Sequence, residues 1–161
     1  MTMIHESRRT LRRTFAHAQG QALIEMAIAL SLILMVVIGG LNALQAIGCH
    51  YAVGQAVRSA VHVAAVRGSS DGVPMHGEHS LATAPGQVAE AARLTLQGSP
   101  FVDVTKARIR VTCASDPCRR FDPITVTIRY EEETWAPFPL LDRIAIQRSA
   151  TRIAEQDSSR D

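Results

Sequence analysis

Between Met26 and Val57 the chain has no Asp, Glu, Lys or Arg, although charged residues make up 20% of its 161 positions. A gap of that kind excludes a purely cytosolic globule as the first reading, because its apolar side chains need a non-aqueous surrounding. An excess of one charge sign is also missing. Seventeen Lys and Arg stand against fifteen Asp and Glu, a net charge of +2, which is too balanced to indicate nucleic-acid binding from charge alone. There is no Gly-rich phosphate loop and no nucleophile motif, and the histidines are scattered through tail, helix and linker, so no catalytic set assembles. Cysteine is scarce, with three residues and no Cys-x-x-Cys. What remains is 47% hydrophobic, enough to exclude disorder as the dominant state.

The apolar content is concentrated near the N-terminus. Residues 1–20 carry Arg8, Arg9, Arg12 and Arg13 against the single acid Glu6. An apolar run follows from Ala22. As a helix, residues 22–47 would extend about 39 Å at 1.5 Å per residue, enough to cross a bilayer with some tilt. Arginines at one end of such a span bias that end toward the cytoplasm; a solvated basic tail, nucleic-acid binding and an anionic-lipid contact are the other readings of the same cluster. A cleaved secretory signal is the rival to a retained span. Its apolar core would be unusually long, and Leu44-Gln45-Ala46, the best small-x-small site, is poor.

Glu25 lies a few residues inside the apolar run, where an acid is costly and calls for a partner; the plain alternative is that it snorkels to the headgroups. Its surroundings are specific. A basic leader ends in Gly20, Gln21 opens the apolar helix, and Glu25 is the fifth residue after the glycine. The order resembles a type IV prepilin processing site, which implies cutting after Gly20 by a membrane aspartic peptidase. The spelling Gly20-Gln21-Ala22-Leu23-Ile24-Glu25-Met26-Ala27 resembles TadE-like proteins, the minor pseudopilins of tight-adherence (Flp-type) pili. Met26 replaces the usual aromatic, and Ser31-Leu32 stands where a proline is often found. The likeness in sequence covers residues 18–48, and beyond them it is one of architecture. It implies removal of residues 1–20, a free amine on Gln21, and an assembly role for Glu25. The implied partners are the prepilin peptidase, a second pseudopilin, the major pilin, the inner-membrane assembly platform and membrane lipid, with no nucleic acid and no cofactor.

Val53, Ala56, Val57, Ala60, Val61 and Ala64 continue one apolar helical face opposite Gln55, Arg58, Ser59 and His62, ending at Arg67-Gly68. Residues 68–87 read as a linker. His76 and His79 within it do not meet a zinc-motif spacing, so no metal is expected. Pro85 to Gln97 reads as an amphipathic helix with Val88, Ala91, Ala92 and Leu96 inward and Gly98 as its stop. Residues 107–113 and 124–130 alternate with period two and indicate antiparallel strands. Glu131 to Glu133 reads as a solvated strand end, Pro137 and Pro139 break regularity, and Ile144 to Ile153 reads as a third strand or a short helix. Cys113 and Cys118 fall in the connection between the strands. With the N-terminus inside, that loop lies outside, where a structural disulfide persists; two free thiols are the alternative. Cys49 stays unpaired at the outer membrane boundary.

The expected fold class is α+β and pilin-like: a transmembrane helix over 21–48, its continuation over 49–67, and a small extracytoplasmic domain over 68–161 with a sheet of two to three antiparallel strands. The expected function is a minor pseudopilin-like structural subunit, not an enzyme, in a bacterial inner membrane with the domain in the periplasm. An uncleaved single-span protein with an external ligand- or partner-binding domain is the alternative, and a small membrane-anchored enzyme a distant third.

Overall fold

In the computed structural model, which describes residues 4–75, 77–138 and 141–156, the chain is α+β and divides into two units, one ending at Leu41 and the other beginning at Asn42. The elements in chain order are α1 (Ile4–Arg67), β1 (His79–Ser80), α2 (Gln87–Gln97), a 3-10 turn (Val104–Lys106), β2 (Ala107–Cys113), β3 (Pro123–Phe138) and β4 (Leu141–Ile153).

The first unit is helical. From Gly20 to Leu41 every residue is exposed except the half-buried Ile38. Sixteen apolar side chains lie in that stretch, and such exposure in water stabilises nothing, so the helix is held by its backbone hydrogen bonds alone. The segment from Gly20 to Arg67 contains the one stretch, among the described residues, long and apolar enough to cross a membrane.

The second unit has a conventional core. Along α1 the residues Val53, Ala56, Val57, Ala60, Val61 and Ala64 are all buried, as their spacing requires, and the buried face extends back through Ala52, Cys49 and Gln45 to Asn42. Ala52, Ala56, Ala60 and Ala64 form a row of small residues at i+4 intervals, which allows close packing against this stretch. Onto it pack Ile109 and Val111 from β2 and Ile124, Val126, Ile128 and Tyr130 from β3, each fully buried. Burial of this kind stabilises by about 1.5–3 kcal/mol per large aliphatic side chain. α2 covers the core with Val88, Ala89, Ala92 and Leu96; Ala89, not Ala91, completes the inward face. The Ser59 hydroxyl lies 2.9 Å from that of Thr95 and donates to Ala56 O at 3.0 Å, fixing α2 alongside α1.

The sheet has four strands rather than two to three, in the order β1-β2-β3-β4, each antiparallel to its neighbour. The extra members have physical causes. The segment 144–153 is a strand and not a helix, because its backbone pairs with β3 from Pro123↔Ile153 onward. Residues Glu131 to Glu133 do not end β3. Pairing continues through Glu133↔Arg143, and after an irregularity Phe138 pairs with Leu141; a register shift is where a strand tolerates proline, here Pro137. Pro139 lies outside the described residues.

The segment read as a linker is also structured over residues 68–75 and 77–87. Gly68, at φ 62°, stops α1, with its N–H to Ala65 O at 3.3 Å and the Ser69 N–H to Ala64 O at 3.3 Å. The Asp71 carboxylate accepts from the first backbone N–H of α2, Gln87 N, at 2.7 Å. His79 and Ser80 form β1 against β2, and Arg93 donates to the carbonyls of Leu81 and Ala84 at 3.3 and 2.8 Å. The segment straps α2 to the end of α1.

Candidate functional site

Gly20, Gln21 and Glu25 share the exposed part of α1. Gln21 Nε2 donates to Glu25 Oε1 at 3.0 Å, the i to i+4 contact that a helix places on one face. On an exposed helix such a pair contributes about 0.2–0.5 kcal/mol, too little to define a structure. The carboxylate therefore has capacity for a stronger partner. A Cβ built at Gly20 would meet nothing within 4 Å. The backbone there is helical, and glycine weakens a helix by about 1 kcal/mol relative to alanine. Ser31, the next polar group along the run, donates to Ala27 O at 2.8 Å, and from Met26 to Val57 the sequence has no charged residue.

In the second unit, Cys113 and Cys118 are joined in a disulfide, with Cα atoms 5.9 Å apart. Asp122 organises the same loop. Its carboxylate accepts from the Ser115 hydroxyl and from Arg119 N at 2.9 Å, and these hydrogen bonds, Ser115 first, hold its pKa below the usual carboxylate range. Phe121 N to Ala154 O at 2.9 Å and Ala154 N to Asp122 O at 2.8 Å tie the loop to the chain leaving β4. The disulfide thus staples a β2–β3 connection that is already anchored.

Asn42, Gln45 and Cys49 have roles that sequence reasoning missed. Asn42 and Gln45 are buried, and Gln45 Nε2 reaches Glu133 O at 3.5 Å. Cys49 is fully buried and donates its thiol to Phe101 O at 2.9 Å, while burial first and the Glu132 charge second push its pKa up. A raised, buried thiol is a poor nucleophile. The signal was available: 42, 45, 49, 52 and 56 continue the i, i+3, i+7 series of the buried face. The run that looks uniformly apolar in composition therefore has a polar stripe at its C-terminal end.

His79 is in β1, and His76 lies outside the described residues. Among the described residues no three His, Cys, Asp or Glu side chains gather as a metal site would require. Two clefts flank α1. One, of about 390 Å³, is lined by Gly48, Tyr51, Gln55, Thr95 and Phe101. The other, of about 310 Å³, is lined by His50, Gly54, Arg58, Arg148 and Ser149. Comparison with protein-family models, with curated proteins and with solved structures gave no match.

Proposed function

We propose that the protein is a minor pseudopilin-like structural subunit of a tight-adherence pilus system, matured by cleavage between Gly20 and Gln21. The observation that supports this most is the placement of one carboxylate, Glu25, one helical turn beyond Gln21 on a helix exposed all round. The exposed stretch from Gly20 to Leu41 would span about 33 Å, close to the ~30 Å of a bilayer's hydrocarbon core. The arginines before Gly20 put the leader in the cytoplasm, and the α+β unit then lies in the periplasm. After cleavage, the Gln21 amine would be cationic beside lipid, and so would require an anion. Glu25 of the same or a neighbouring subunit supplies it, because two charges in poorly hydrated surroundings are tolerated only when paired. Partners in this reading are the prepilin peptidase, other pseudopilins, the major pilin and the assembly platform.

The test is Glu25→Ala in cells that carry the pilus system. Processing and membrane insertion should persist, since removing an acid from the span lowers an insertion cost of about 2.5–3.5 kcal/mol at most. Incorporation into the pilus complex and surface piliation should fail, with processed protein accumulating in the membrane. Normal piliation by the processed variant would refute an assembly role for Glu25. The alternative, an uncleaved single-span protein with an external binding domain, draws on the unbroken helix through Gly20. It predicts that residues 1–20 stay attached.

A further inference from the structure

Two rows of cationic and imidazole groups face each other across α1 and β4. His50, Gly54, Arg58 and His62 are spaced by four and lie along one side of α1. Arg148, Ala150 and Arg152 alternate on the side of β4 that also carries the buried Ile144 and Ile146. The rows meet in pairs: Arg148 donates to His50 Nε2, and Arg152 Nη1 lies 3.2 Å from His62 Nδ1. Among the described residues, the ion pairs formed involve other cations, Arg67, Arg93, Lys106 and Arg129. A histidine ring that accepts from an arginine leaves the guanidinium charge uncompensated. Between the rows is the 310 Å³ groove. A Cβ at Gly54 would meet only the Arg58 guanidinium, at 3.8 Å, so that group lies back over Gly54 toward His50. Both guanidinium groups, Arg58 and Arg148, border a floor formed by Val57, the bare backbone at Gly54 and the Ala150 methyl. That is a cradle for a tetrahedral oxyanion.

The position along α1 indicates the source of the anion. Leu44, Ile47 and Tyr51, 60, 67 and 65% exposed, form an outward i, i+3, i+7 row that ends beside this groove, with Tyr51 belonging to both. An apolar row, then an exposed tyrosine, then arginines is the order of groups met on leaving a bilayer. We infer that the His50–Arg58–Arg148 groove binds the phosphate of an anionic phospholipid headgroup and holds the α+β unit against the outer face of the membrane. The inference rests on the membrane span proposed above; an acidic protein segment would leave the adjoining apolar row unused.

The full chain in mild detergent, titrated with phosphatidylglycerol and with phosphatidylcholine, provides the test by native mass spectrometry. Phosphatidylglycerol should be retained in preference, and Arg58→Ala and Arg148→Ala should each lower its retention about fivefold. Arg120→Ala, outside the groove, should leave it unchanged, and all variants should keep the wild-type far-UV circular dichroism. Equal retention by wild type and the Arg58→Ala/Arg148→Ala double variant overturns the inference. Inorganic phosphate that binds as tightly as phosphatidylglycerol also overturns the lipid source, as does tighter binding of a polyglutamate peptide. Carbonate washing of membranes separates the two claims. A chain that resists carbonate but shows no lipid preference defeats the headgroup site and leaves the span standing, whereas a chain released by carbonate defeats the span and the headgroup site together.

Discussion

Replacing Gly86 by alanine should destabilise the α+β unit more than any ordinary surface substitution. At Gly86 φ is +89°, and a built Cβ would lie 1.5 Å from Asp71 O and 2.7 Å from the Asp71 carbonyl carbon. Neither contact is the end of a flexible side chain. A side chain at that φ costs about 1–3 kcal/mol by itself. Moving the Asp71 backbone also breaks the Asp71 carboxylate bond to Gln87 N, which caps α2 and is worth about 1 kcal/mol. Together these give about 3 kcal/mol, or a Tm lower by roughly 10 °C for a unit of this size. Gly72→Ala is the control. Its φ is +90°, but the nearest atom to a Cβ is 3.7 Å away, so it incurs the backbone cost without the collision. Thermal unfolding followed at 222 nm in the same detergent should rank Gly86→Ala well below Gly72→Ala, and that below wild type. If the two variants melt together, the close approach of residues 71 and 86 is not a feature of the folded protein, and the strap is wrongly described.

Loss of the disulfide in Cys113→Ser/Cys118→Ser should cost about 2 kcal/mol, the chain-entropy value for so short a loop, measured by denaturant unfolding of oxidised protein. Alkylation of native, unreduced protein should leave all three cysteines unlabelled, since Cys49 is buried, and strong labelling of Cys113 and Cys118 would contradict the pairing. Asp103 and Asp122 give the acid limb of stability. Both have pKa values lowered, Asp103 chiefly by the Thr105 hydroxyl and backbone N–H and Asp122 by Ser115 and Arg119 N. A lowered folded-state value contributes stability above the unfolded carboxylate pKa, roughly pH 4, which is lost as pH falls through the folded value. Unfolding midpoints measured from pH 7 down to pH 3 should fall at the acid end, and the fall should be shallower in Asp103→Asn/Asp122→Asn.

Much of this fold is legible because its periodicities are clean. The series from Val53 to Ala64 forecasts the buried face of α1 residue by residue, and Ile109, Val111, Ile124, Val126 and Ile128 forecast the inner face of the sheet. The misreadings occur where a residue's chemistry conflicts with its place. Asn42 and Gln45 look like blemishes in an apolar run, because hydropathy averaged along a helix conceals which side a residue occupies. β4 is ambiguous from sequence because Arg148 and Arg152 interrupt the apolar alternation begun by Ile144 and Ile146; both arginines face histidines on α1. β1 is two residues long and has no period to detect. In Pro85–Gln97, alanines at both 89 and 91 leave the inward face undecided until α2 docks on Ser59 through Thr95. Of the candidate site, the Gly20–Gln21–Glu25 spacing is readable at once, whereas the basic groove needs the approach of β4 to α1.

The mature N-terminus tests the central claim most directly. Intact-mass and N-terminal peptide measurement on protein extracted from membranes of cells containing a prepilin peptidase should show a chain that begins at Gln21. A chain that begins at Met1 or Thr2 in those cells would contradict processing and favour the uncleaved single-span reading, and a start near Ile47 would instead indicate a secretory signal.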